Sequence, residues 1–215
     1  MSSDLDKATT RNFLDGLRFF LTTFDDQRDA AREDDAIALT ESREHHATSI
    51  VFGDLVPRLQ RYSFVVLLAV ILQARIAVFC KTLRLDHGLS YSVDDMEGDF
   101  IARLRTFLKE VVELQLPAEL WRWMEDLLLL SRCISDAAGN LDMMGPAERR
   151  RLHNVVQRRP GLALEPDDLL FSRGPLLPRQ AETVLVIHNE FCLDAVTAAQ
   201  GLFGYLYQHP APGGS

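Results

Sequence analysis

The stretch FVVLLAVILQARIAVFC, Phe64–Cys80, is apolar around the whole circumference of any helix it forms, and only Gln73 and Arg75 interrupt it. A helix that is hydrophobic all round belongs inside a protein core or a membrane. Its uninterrupted part, Phe64–Leu72, falls far short of the roughly 20 residues needed for a span. The stretch therefore predicts a core helix over Phe64–Leu85, with Leu67, Leu68, Ile71, Val78 and Phe79 covered by neighbours and no membrane partner.

The rest of the chain offers the helices to cover it. From Asp4 to Leu39, apolar Phe13, Leu14, Leu17, Phe20, Leu21 and Phe24 recur at helical spacing before DDQRDAAREDDA loses hydrophobicity. A second helical segment starts near Glu41, and Pro57 either kinks it or begins a new helix. The cluster DHGLSYSVDDMEGD breaks the pattern. DFIARLRTFLKEVVEL and PAELWRWMEDLLLLSRCIS then read as two further helices, the second opened by Pro117, where a first turn tolerates proline. PAERRRLHNVVQRR is a short basic helix. GLALEPDDLLFSRGPLLP reads as a small β-hairpin near residues 162–172, turning at Glu165–Asp168. RQAETVLVIHNEFCLDAVTAAQGLFGYLYQ returns to helical periodicity. The expectation is an all-α antiparallel bundle with one hairpin. Residues 1–60 form an N-terminal helical segment on it, 61–208 the main domain and 209–215 a flexible tail.

Charge narrows the function classes. A net charge of −8 and a pI near 5.2 argue against indiscriminate nucleic-acid binding by the whole surface, because clustered Lys and Arg carry phosphate affinity. Cys80, Cys133 and Cys192 are widely spaced and set among apolar residues, without a CxxC pair or a Cys/His cluster. Three reduced thiols in a cytoplasmic protein, with no metal and no cofactor, are expected. The polar start MSSDLDKATT has no signal-peptide character.

Leu127–Met144, LLLLSRCISDAAGNLDMM, carries a leucine face up to Ser131, Arg132 and Cys133 and closes on Gly139. With the residues before it, this stretch resembles the second half of a HEPN-domain protein. Asp95-Met96-Glu97-Gly98, then Thr106-Phe107-Leu108-Lys109, then Trp121 or Trp123, follow that family's order, and the core helix fits at Leu72-Gln73. The likeness covers about residues 50–208. It implies a helical bundle, metal-independent RNA cleavage at a paired Arg/His motif, dimers, and a prokaryotic toxin–antitoxin or phage-defence setting.

The diagnostic motif departs. With Gly139 on the family's glycine, Asp136 stands at the histidine, Ser131 at the arginine and Arg132 one residue beyond it, while neutral Gln73 stands at the core-helix acid. Histidine suits proton transfer near neutrality and arginine suits the phosphate. The resemblance therefore implies a catalytically degenerate protein acting through protein or RNA interaction, as a homodimer or within a larger assembly. The alternative is an active ribonuclease with a rearranged site at Arg132 and Asp136. The plain structural account is a helix end with an Arg132–Asp136 pair. The family's arrangement also implies that Gln73 and Arg132 approach each other.

Arg149, Arg150, Arg151, Arg158 and Arg159 form the one basic cluster of an acidic chain. They are either an RNA- or partner-binding surface or a solvated helix face. Trp121 and Trp123 cannot share a helix face, so one is core and the other a candidate interface residue. His45 and His46, with Glu41 and Glu44, read as surface residues, because adjacent histidines diverge on a helix.

Overall fold

A computed structural model describes residues 6–23, 55–166 and 182–208. The described residues are mostly helical, with six helices and a two-stranded antiparallel sheet. In chain order these are α1 (6–23), α2 (Val56–His87), α3 (Phe100–Thr106), α4 (Ala118–Ala137), α5 (Pro146–Arg158), β1 (Leu162–Pro166), β2 (Thr183–Ile187) and α6 (Asn189–Gln208). His45, His46, Glu41, Glu44 and the tail 209–215 lie outside the described residues.

Local chemistry sets the boundaries. α2 begins at Val56, with Pro57 in its first turn. The helix ends at Gly88, whose φ of 60° lets the Leu89 N–H return to the Arg84 carbonyl at 3.0 Å. Asp99 caps α3 by accepting from the Ala102 N–H at 2.9 Å. A π-turn, Phe107–Val111, continues it.

The sheet corrects the sequence reading. β1 pairs with Thr183–Ile187, in register from Leu162↔Ile187 to Pro166↔Thr183, so that β1 runs on through the expected turn position Glu165, while residues 167–172 lie outside the described residues. The sequence pattern assigns the second strand to the start of the last helix. Its run Thr-Val-Leu-Val-Ile is dominated by β-branched side chains, stiff at χ1 and suited to a pleated surface, and the helix begins only at Asn189.

The described residues form two compact units. One draws on residues 6–16, 67–128 and 195–208, the other on residues 17–23, 55–66, 129–166 and 182–194. In the first, Leu68, Leu72, Ile76, Phe107, Leu108, Met124, Leu127 and Leu202 are almost fully buried. In the second the core includes Leu21, Phe64, Leu130, Cys133, Leu152, Val155 and Leu185.

The all-round apolar helix is covered on one side only. Leu68 and Phe79 are buried as expected, but Leu67, Val70, Val78 and Leu85 are exposed, the last two by 40% and 71%. By length and composition α2 could cross a membrane, with 44% of its most apolar window buried. In α1 the burial is likewise narrower than the periodicity suggested: Leu14, Leu17 and Leu21 are buried while Phe13 and Phe20 face out.

Candidate functional site

α4 brings the motif-like residues to its C-terminal end. The helix closes through two successive left-handed residues, Ala138 at φ 50° and Gly139 at φ 80°. The Gly139 N–H donates to the Cys133 carbonyl at 3.0 Å, and Asn140 N–H to Ala137 at 2.8 Å. Gly139 accepts through its own carbonyl from the Leu185 N–H at 2.9 Å, which ties the turn to β2. Tyr62 lies against this turn, and its hydroxyl donates to the Leu185 carbonyl. A Cβ on Gly139 would overlap the Tyr62 phenol. Glycine is required here both by conformation and by space.

Asn140 extends the turn. Its Oδ1 accepts from the Asp142 N–H at 2.8 Å and its Nδ2 donates to Glu182 Oε2 at 2.7 Å. Asp142 Oδ2 in turn accepts from the Thr183 N–H at 3.0 Å. The closing residues of the motif-like stretch thus hold the end of α4 to the sheet.

The polar residues before the turn are arranged differently from the expected Arg132–Asp136 pair. Arg132 Nη1 donates to Glu148 Oε1 of α5 at 2.8 Å. Asp136 is exposed and accepts from the neighbouring Ser135 hydroxyl at 3.3 Å. An arginine four residues before an acid is the weaker helical orientation, and Glu148, in the first turn of α5, offers a carboxylate beside a helix N-terminus. Ser131 is half-buried, and its carbonyl accepts from Ser135 Oγ at 2.9 Å. Gln73 is half-buried and belongs to the other unit. Cys133, one residue past Arg132, faces the core; burial, then the Glu148 charge, push its thiol up to about 11.

The basic helix divides in two. Arg149 turns inward: Nη2 donates to the Asp142 carbonyl at 3.0 Å and toward Met144 at 3.4 Å, and Nη1 pairs with Asp142 Oδ1 at 3.4 Å. It braces the turn before α5, with its side chain 38% exposed. Arg150, Arg151 and Arg158 are exposed, and Arg159 is half-buried. Leu152 and Val155 anchor the opposite side of α5 in the core.

A second polar cluster, in the other unit, was signalled only by the odd presence of Arg75 in an apolar run. Arg75 pairs with Asp6, donates from Nη2 to the Asp6 carbonyl at 3.0 Å, and from Nε to Thr10 Oγ1 at 2.9 Å. The Tyr207 hydroxyl donates to Asp6 Oδ2 at 2.7 Å. Asp6 and Thr10 are buried and the Arg75 side chain is 14% exposed. Phe79 meets the Tyr207 ring edge-on at 5.6 Å. Every charge is matched within this cluster, as a buried ion pair requires.

Of the two tryptophans, Trp123 is core and Trp121 is half-buried beneath Arg105, 4.8 Å from its ring, while Arg105 pairs with Glu125 at 3.0 Å. Among the described residues no three His, Cys, Asp or Glu side chains stand together as ligands for one ion. No protein-family model, curated protein or solved structure matches the chain.

Proposed function

We propose that this chain is a HEPN-like helical protein that has lost catalysis and acts by interaction, as a homodimer or within a larger assembly. The observation that carries the reading is the engagement of Arg132. The one guanidinium at the end of α4 is neutralised by Glu148 at 2.8 Å, and an exposed carboxylate, Asp136, stands where a proton-transfer group would be needed. A carboxylate beside the scissile position repels phosphate, and loss of a placed acid/base group costs about 10²–10⁴-fold in rate.

Interaction is supported by the open side of α2. Leu67, Val70, Ala74, Ala77 and Lys81 follow one another at alternating steps of three and four, flanked at seven-residue intervals by Ile71, Val78 and Leu85. All but half-buried Ile71 are exposed. This is the spacing of a helix seam, and the paired alanines permit close approach of a second helix.

The test is cleavage of RNA by the purified protein near neutral pH in chelator. No cleavage above a buffer control is expected, whether Arg132 and Asp136 are present or replaced by alanine. Cleavage abolished by Arg132→Ala or Asp136→Ala would reinstate an active endoribonuclease with a rearranged site. Sedimentation of the same samples should show a dimer, and Val70→Glu with Val78→Glu a monomer of unchanged helicity.

A further inference from the structure

Within the first unit, residues 6–16 of α1 and 195–208 of α6 are bridged twice. Thr10 Oγ1 and the Tyr207 hydroxyl lie 3.2 Å apart, and Gln200 Nε2 donates to Asp15 Oδ1 at 3.1 Å. The bridged positions rise along one helix as they fall along the other, so the two run antiparallel. Between the bridges the helices do not close. A cavity of about 290 Å³ remains, lined by Leu14, Phe203 and Gly204 and, on the solvent side, by Lys7 and Arg11. That is roughly ten times the ~30 Å³ a water occupies in the liquid.

Gly204 opens the gap. A Cβ there would meet no atom within 4 Å. The residue stands inside α6, where glycine is destabilising relative to alanine, and its backbone is not left-handed. Neither conformation nor a close contact in the fold therefore calls for glycine at this position. Protein interiors leave few voids of this size unfilled.

The lining sorts by kind. Leu14 and Phe203 are buried apolar walls. At one end the Thr10 hydroxyl gives its proton to the Asp6 carbonyl at 2.9 Å, and the Tyr207 hydroxyl donates to Asp6 Oδ2 at 2.7 Å. With both protons committed, that end does not donate to a guest. At the other end Asp15 is shared between Gln200 and Arg11, the latter at 3.7 Å. Lys7 and Arg11 stand one turn apart on the exposed edge of α1, a like-charged pair that an anion between them would relieve. The lining thus sets two cations against one carboxylate, beside an apolar recess.

We propose that this cavity binds a small organic monocarboxylate, its apolar body against Leu14 and Phe203 in the space over Gly204 and its carboxylate toward Lys7 and Arg11. An acid of about ten non-hydrogen atoms suits the volume. The site shares no residue with the end of α4 or the open face of α2, so it goes beyond the reading above and stands or falls separately.

Phenylacetate is the probe, titrated into the full-length protein and followed by calorimetry and ligand-observed NMR. A Kd of roughly 0.1–1 mM is expected for a ligand of this size. Phenylacetamide, neutral and of the same shape, should bind at least about threefold more weakly, and that preference should shrink in high salt. Acetate, without the apolar body, should bind at least about tenfold more weakly. Gly204→Leu should fill the recess, melt no lower than the native protein and weaken phenylacetate about tenfold or more. Gly204→Ala should still bind. Lys7→Ala with Arg11→Ala, both on the surface, should bind acid and amide alike. No phenylacetate binding at about 10 mM, equal binding of the amide by the native protein, or unchanged binding by Gly204→Leu would overturn the proposal. A Gly204→Leu protein that fails to fold would overturn it too, because the space over Gly204 would then not be open.

Discussion

Arg75 and Arg132 carry the same group under opposite conditions. Arg75 is 14% exposed, sits in the middle of an apolar run, and bonds to Asp6 and Thr10 in a cluster that Tyr207 completes. Arg132 is 55% exposed and holds one partner, Glu148. The first is a structural charge whose removal strands another charge. The second is a surface pair, of the kind that contributes about 0–1 kcal/mol. The residue nearer to the family's motif is the one with less to do in the fold, and that contrast is open to direct attack.

Arg75→Ala is the severest test. It leaves Asp6 buried without its countercharge, and breaking such pairs typically costs about 3–5 kcal/mol. A urea titration should show this loss. If it shows less than about 1 kcal/mol, the cluster does not anchor the fold.

Gly139→Ala comes next, because it strikes the turn that makes the end of α4 structural. A left-handed backbone costs a side-chain-bearing residue about 1–2 kcal/mol, and overlap with Tyr62 adds about 1–3 kcal/mol more. Denaturant melts should register a loss near the sum. A neutral result would free this stretch for a role other than holding the sheet.

The two units also share a pH response. Burial, then the Asp94 charge, push the Cys80 thiol up to about 12, and Cys133 is raised to about 11. The folded state therefore keeps protons that the unfolded chain releases near pH 8.5–9. Stability is fully present below that pH and falls as pH rises toward 11, by up to about 1.4 kcal/mol per pH unit and per thiol. Melting followed from pH 8 to 11 should show the decline, and Cys80→Ala with Cys133→Ala should flatten it. A flat native profile would mean that water reaches both thiols.

Arg132→Ala is the smallest effect expected. An exposed pair at 2.8 Å should contribute about 0.2–1 kcal/mol, less in high salt. A loss comparable to that of Arg75→Ala would erase the distinction between the two arginines.

Much of the helical pattern was legible because it depends on local spacing. The apolar periodicity of Ile101, Leu104, Phe107 and Leu108, the proline starts at Pro117 and Pro146, and the glycine stop at Gly88 act over a turn or two. They hold in whatever fold surrounds them. Thr183–Ile187 was misread because a short apolar run without strict alternation is ambiguous between helix and strand until its partner is known, and that partner, Leu162–Pro166, lies well before it in the chain.

The sequence alone also determined that the end of α4 lacks a histidine, that the protein is acidic, and that its one basic cluster lies between Arg149 and Arg159. Only the tertiary structure decided what those charges do. It sent Arg132 to Glu148 instead of Asp136, turned Arg149 inward while leaving Arg150 and Arg151 in solvent, and joined Arg75 to Asp6 and Tyr207. A long charged side chain reaches whichever opposite charge or carbonyl the packing of distant elements brings near. That choice depends on separations of a few ångströms between segments far apart in sequence, where residue order carries no direct information.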